Sequence, residues 1–129
     1  MNVKDLSVTL YTNKVEECKV FYTETLGGKV TFDSGWYIVV TFCNNMSIAF
    51  MELDQAGSEV QVGNVTLNVL VEEVDTEYAK IKDKARIVCD LTNQPWGDRS
   101  FQIQDPIGNI VYVYMPAPVS DEYKGAIKE

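Results

Sequence analysis

The chain has 129 residues, a net charge of −8 and ordinary apolar and charged fractions, which sets the expectation of one globular domain spanning 1–129. The acidic balance leaves no surplus of Lys and Arg to neutralise phosphates, which argues against nucleic acid as a partner. Histidine is absent, so Ser-His-Asp triads, Cys-His dyads and His-based zinc sites are excluded.

Taken in order, Val3–Thr12 reads as a strand, because Val8 and Leu10 alternate with Ser7, Thr9 and Tyr11. Asn13 is a candidate cap for a helix over Lys14–Leu26. Its apolar stripe is Val15, Cys18, Phe21 or Tyr22, and Leu26, and Gly27-Gly28 ends it. Three short strands follow at Lys29–Phe32, Trp36–Phe42 and Met46–Leu53. Asp33-Ser34-Gly35 and Cys43-Asn44-Asn45 supply the turns between them.

Asp54–Gly63 is polar, contains glycine and has no firm period, which marks it as a linker. Val65–Val71 is again a strand. Asp75 is placed to cap a helix over Thr76–Lys84 with Tyr78, Ile81 and Ala85 on its stripe. Arg86–Leu91 is a strand and Thr92–Asp98 a loop. Ser100–Asp105 and Asn109–Tyr114 form an antiparallel hairpin around Asp105-Pro106-Ile107-Gly108, whose residues have turn chemistry. Pro116 and Pro118 stop the last strand. The tail, 117–129, is polar, with a short helix starting at Ser120.

No apolar run approaches the ~20 residues needed to span a bilayer. Met1–Asp5 is short and polar, unlike a signal peptide. Cys18, Cys43 and Cys89 are odd in number and widely spaced, as expected of thiols in a reducing, cytoplasmic setting.

The order is β-α-β-β-β, linker, β-α-β-β-β, two half-modules at about 1–54 and 64–116 joined by 55–63. Setting Ser7 against Thr66, an offset of 59 (66 − 7), puts Val8 on Leu67, Leu10 on Val69, Val15 on Val74 and Tyr22 on Ile81. Apolar falls on apolar along both strand and helix. Setting Glu52 against Tyr112 needs an offset of 60 (112 − 52).

The string Pro95, Trp96, Gly97, Arg99, Phe101, Asp105, Pro106, Gly108 and Asn109 resembles the closing motif of the vicinal-oxygen-chelate superfamily, above all its glyoxalase/bleomycin-resistance branch. Together with the internal repeat, the resemblance covers Val3 to Met115. It implies an α+β fold of tandem βαβββ modules whose curved sheets form an open cup with helices outside.

Strand alternation then assigns faces. Val8, Leu10, Leu67 and Val69 are expected under the helices. Ser7, Thr9, Tyr11, Thr66, Asn68 and Leu70 are expected on the opposite face. So are Ile48, Phe50 and Glu52 of one half, and Ile110, Tyr112 and Tyr114 of the other. That lining is aromatic with a few polar groups, as small-molecule sites are, unless the rings simply fill the space as core.

Metal-dependent relatives hold a divalent ion with four side chains, and the matching positions here are Ser7, Glu52, Thr66 and Tyr112. Only Glu52 is a customary ligand, and one carboxylate with two hydroxyls and a phenol makes a poor site for Zn²⁺, Ni²⁺ or Fe²⁺. The expectation is therefore no metal and no cofactor.

Metal-free relatives implied by the resemblance bind and sequester planar or extended natural products as dimers, the bleomycin-resistance proteins acting on a cationic drug. The resemblance implies a homodimer that binds a hydrophobic or cationic aromatic compound here. Trp96, Trp36, Phe50, Tyr112 and Tyr114 would supply stacking faces here, with Ser7 and Thr66 as polar lining. Arg99 either contacts a ligand anion or pairs with a carboxylate such as Asp105 or Asp98. Trp96 either contacts the ligand or plugs its own loop. Glu52 is either a general base with its pKa raised by desolvation or a carboxylate hydrogen-bonded to Thr66 or Tyr112. The alternative function is a lyase or isomerase using Glu52 as base.

Overall fold

The computed structural model describes residues 1–2, 4–55 and 65–128. The chain forms two compact units, Met1–Gly63 and Asn64–Glu129. Val3 and most of the expected linker, 56–63, lie outside the described residues.

In the first unit β1 (Val8–Tyr11) leads to α1 (Val15–Val20), which continues as a π-helical turn over Phe21–Thr25. Strands β2 (Lys29–Asp33), β3 (Tyr37–Thr41) and β4 (Ser47–Met51) follow. They form an open sheet in the order β1-β4-β3-β2, with β1 parallel to β4 and the other pairs antiparallel. The second unit repeats this with β5 (Thr66–Leu70), α2 (Val74–Ile81), β6 (Arg86–Gln94), β7 (Asp98–Gln104) and β8 (Ile110–Pro116). Its order is β5-β8-β7-β6, again with one parallel pair. Each unit is thus a βαβββ module, and the short α3 (Asp121–Lys124) closes the chain.

Each helix covers one face of its own sheet because its stripe is apolar at helical spacing. Val15, Cys18 and Tyr22 are buried on the first helix, Val74 and Ile81 on α2. Their partners are the alternate strand residues Leu10, Ile38, Val40, Ile48 and Phe50 in one unit, and Phe101, Ile103, Val111 and Val113 in the other. An aromatic pair pins each helix down. The rings of Tyr22 and Phe50 lie 5.0 Å apart, and those of Tyr78 and Phe101 5.1 Å apart. Burying one such side chain contributes about 1.5–3 kcal/mol.

The 59-residue offset holds for the first strand and helix of each unit: Leu10 and Val69, Val15 and Val74, and Tyr22 and Ile81 occupy matching places. It does not become 60 at the last strand. Leu10 pairs with Phe50 as Val69 pairs with Val113, so the offset there is 63 (113 − 50). An odd change of register exchanges the two faces of a strand. Phe50 and Ile48, expected on the face away from the helix, are therefore core residues on the helix side. Ser47, Ala49 and Met51 of β4 take the other face, beside Thr9, Tyr11, Tyr37 and Val39. In the second unit the expected assignment stands: Thr66, Asn68, Leu70, Ile110, Tyr112 and Tyr114 share the face away from α2.

The helix caps also differ from expectation. Thr12, not Asn13, accepts the Lys14 amide through its Oγ1, at 3.0 Å. Asn13 instead accepts the Leu53 amide at 3.2 Å and ties the end of β4 to the start of α1. Asp75 lies inside the first turn of α2, where it meets Arg99. At the β7–β8 turn the Asp105 carboxylate accepts from the Ile107 and Asn109 amides (3.0 and 2.8 Å) and from Asn109 Nδ2 (2.9 Å). Asn109 Oδ1 in turn accepts the Val65 amide at 3.0 Å, where β5 begins. The Asp-Pro-x-Gly-Asn segment is therefore a structural clamp.

Candidate functional site

The expected loop over 92–98 is mostly strand. β6 runs to Gln94 and β7 starts at Asp98, leaving Pro95-Trp96-Gly97 as a tight turn closed by the Gly97 amide donating to the Gln94 carbonyl at 3.2 Å. Gly97 has φ +118°, a conformation that suits glycine. The tail docks against this turn: the Ala117 amide donates to the Gly97 carbonyl (2.9 Å) and the Ser120 amide to the Pro95 carbonyl (2.8 Å). Tyr123 of α3 meets the Trp96 ring edge-on, 6.1 Å between centroids.

Trp96 is 48 % exposed, and its indole is nonetheless fixed. Nε1 donates to Asp98 Oδ2 at 2.9 Å and lies 3.1 Å from the Tyr112 hydroxyl. That hydroxyl donates to Asp98, 2.8 and 3.0 Å from its two oxygens, and accepts from Ser100 Oγ at 3.1 Å. Asp98 is only 8 % exposed and Ser100 1 %. Asp98, Ser100 and Tyr112 belong to alternate positions on β7 and β8, so their side chains emerge on one face and reach each other diagonally. Tyr114 extends the aromatic surface, its ring 6.0 Å from that of Tyr112. Burial pushes the Tyr112 phenol above the ordinary tyrosine value, and donation to Asp98 adds to this, while the bonds from Ser100 and Trp96 oppose it.

Asp98 and Ser100 were not singled out from sequence. The signal was the alternation Trp96, Asp98, Ser100, which places all three on one side once β7 is begun at Asp98.

Arg99 points to the other face. Its Nε donates to Asp75 on α2 (2.9 Å) and a terminal nitrogen donates to Asn93 (2.8 Å). It pairs with a carboxylate, but with Asp75 and not with Asp98 or Asp105.

Trp36 belongs to a separate apolar surface within the first unit. A recess of about 490 Å³ is lined by Phe32, Ser34, Trp36, Tyr37, Val39 and Met51. The Phe32 and Trp36 rings lie 6.0 and 6.2 Å from that of Tyr37. Phe50 takes no part in it, because its ring is wholly buried against Tyr22.

The four positions matched to a metal site are poorly equipped. Ser7 is exposed and precedes β1, and Thr66 is exposed on β5. Glu52 follows β4 and is half-buried. Its amide donates to the Trp36 carbonyl, continuing the alternation that puts Phe50 on the helix side. The Tyr112 hydroxyl is engaged by Asp98. Among the described residues no group of three or more Cys, Asp or Glu side chains is arranged to hold an ion. The donor set does not fit the divalent metal of the family's metal-dependent members.

The repeated module and the clamp at Asp105 define a class, and sequence comparison agrees: residues 6–116 match the glyoxalase-like domain model, and the chain belongs to that family. Solved structures share the fold. One is the antibiotic-binding protein TnmS3 from Streptomyces sp., with a TM-score of 0.75 and 21 % identity, covering 91 % of this chain and 99 % of that one. A glyoxalase/bleomycin resistance protein/dioxygenase from Nocardioides gives 0.75 and 17 %, covering 91 % and 85 %. A lactoylglutathione lyase from Agrobacterium tumefaciens gives 0.72 and 18 %, covering 89 % and 96 %. A search of curated proteins finds no match in sequence. Among the described residues no helix is long and apolar enough to cross a membrane.

Proposed function

We propose that this glyoxalase-like protein binds a small hydrophobic or cationic aromatic compound without a metal, in the manner of antibiotic sequestration, as a cytoplasmic homodimer. The observation that carries this reading is the face of the second unit, where a hydrogen-bond network through Asp98 holds the rings of Trp96 and Tyr112, and Tyr114 adds a third ring 6.0 Å from that of Tyr112. Rings already fixed by hydrogen bonds lose little freedom when a planar compound stacks on them. The likeness to an antibiotic-binding protein accords with this, as does the acidic balance of the chain. Thr66 contributes a polar group to the same face. Trp36 offers a second aromatic surface within the first unit.

The test is titration with bleomycin, mitomycin and similar planar compounds, followed by tryptophan fluorescence in single-tryptophan variants. Saturable quenching of Trp96 that survives a chelator is the expected result. Absence of quenching would sink the binding reading. Stoichiometric, tight binding of Zn²⁺, Ni²⁺, Mn²⁺ or Fe²⁺ at Glu52 would sink its metal independence. Turnover lost in Glu52→Gln with binding retained would instead establish a lyase or isomerase.

A further inference from the structure

Among the described residues Asp98 stands out as a carboxylate with no cation beside it. Its carboxylate is 8 % exposed, and the donors recorded on it are both neutral, the Tyr112 phenol and the Trp96 indole. Among the described residues it forms no ion pair. The nearest cation in sequence, Arg99, is turned to the opposite face and committed to Asp75 and Asn93. Desolvating a carboxylate is costly unless a positive group accompanies it. An asparagine oxygen could accept from the same donors without that cost. Around Asp98 stand the rings of Trp96, Tyr112 and Tyr114, whose faces attract cations.

We propose that Asp98 is the counter-charge of a cation subsite on this face, so that the compound bound carries a positive charge on a nitrogen in or beside its ring system. The inference rests on the small-molecule reading above and narrows it. The cation offsets the standing cost of the buried carboxylate and lies against the aromatic rings. A neutral compound gains only the stacking. An anionic one meets Asp98 in a poorly solvated place, where salt screens little.

A matched pair of dyes tests this on the full chain. 9-Aminoacridine is a cation near neutral pH and acridine is neutral, while their ring systems match. The wild-type protein should bind 9-aminoacridine about tenfold or more tightly than acridine, the scale of a desolvated cation contact. The indole N–H resonance of Trp96 should move as it binds. Asp98→Asn should bring the two dyes to parity, the ratio of their affinities being the readout. Asp121→Asn removes the same charge from an exposed position and should leave the preference intact.

A wild-type protein that binds both dyes equally overturns the inference and leaves the small-molecule reading standing. So does a preference that persists in Asp98→Asn, or a cationic dye that moves only the Trp36 resonance. Binding of neither dye counts against both. Should Asp98→Asn fail to fold, the wild-type ratio and the resonance that moves decide between these outcomes.

Discussion

The Tyr112 hydroxyl donates to the carboxylate of Asp98, 2.8 Å from one oxygen and 3.0 Å from the other, and so locks the centre of β8 to the first residue of β7. The bond sits on the face away from α2, so it stabilises a surface that the helix does not cover. It also explains how a half-exposed tryptophan one turn away is held in place.

This bond and the burial of the ring have a consequence at alkaline pH. The native phenol of Tyr112 titrates above the ordinary value of about 10 that the unfolded chain shows. Between the two values the unfolded state has lost a proton that the native state keeps. The associated stabilisation is whole below the unfolded value and is lost as pH rises through the native one. Near-ultraviolet titration should show Tyr112 ionising late, together with Tyr78, which donates to Asp90. Urea unfolding above pH ~10 should weaken less steeply in Tyr112→Phe. Identical slopes in the two proteins would contradict this.

Gly97 should not tolerate a side chain. Its φ of +118° strains any L residue, and an added Cβ would stand 2.7 Å from Val119 Cγ2. Gly97→Ala should lose about 1–3 kcal/mol in thermal or chemical unfolding. Adding Val119→Ala should restore the part due to the clash and leave the part due to the backbone.

Phe50 and Trp36 should separate cleanly. Phe50 is 0 % exposed and packed on Tyr22, so Phe50→Ala should cost about 3–5 kcal/mol. Trp36 is 42 % exposed, and Trp36→Ala should change stability by about 0.5–1 kcal/mol or less. A well-folded Phe50→Ala protein that had lost only ligand binding would restore Phe50 to the lining.

The ion pair between Arg99 and Asp75 is half open to solvent, with side chains 35 % and 65 % exposed. A double-mutant cycle with Arg99→Gln and Asp75→Asn should therefore give a coupling of only about 0.2–1 kcal/mol, falling in salt. Dye binding on the opposite face should not change in Arg99→Gln. A marked loss there would make Arg99 a ligand contact after all.

The clamp at Asp105 should matter more. Asp105→Ala leaves the Ile107 and Asn109 amides and the Asn109 side chain without their acceptor. Each buried donor so orphaned costs about 1–3 kcal/mol. Asp105→Asn keeps one oxygen acceptor and should be milder, as ranked by denaturant midpoint.

Much of the molecule is legible in the sequence. The repeat showed in the order of elements and in a 59-residue offset that carries Leu10 onto Val69 and Tyr22 onto Ile81. Those positions are apolar because each helix must bury one stripe, and that requirement is written in local spacing. Tyr112 and Tyr114 fell on the correct face because Val111 and Val113 alternate with them. β4 was not legible in the same way. Ile48, Ala49, Phe50 and Met51 are consecutive apolar residues, so alternation gives no direction, and only pairing with Leu10 and Ile38 shows that Phe50 faces the helix.

By itself, then, the sequence determined the class of module, its duplication and the turn at Asp105, because short-range periodicity and turn chemistry dictate these. Tertiary structure decided which face each residue of β4 presents, which carboxylate Arg99 meets and what surrounds Asp98. Those outcomes depend on register between strands distant in sequence. A slip of one residue there reverses every side chain while leaving the local pattern unchanged.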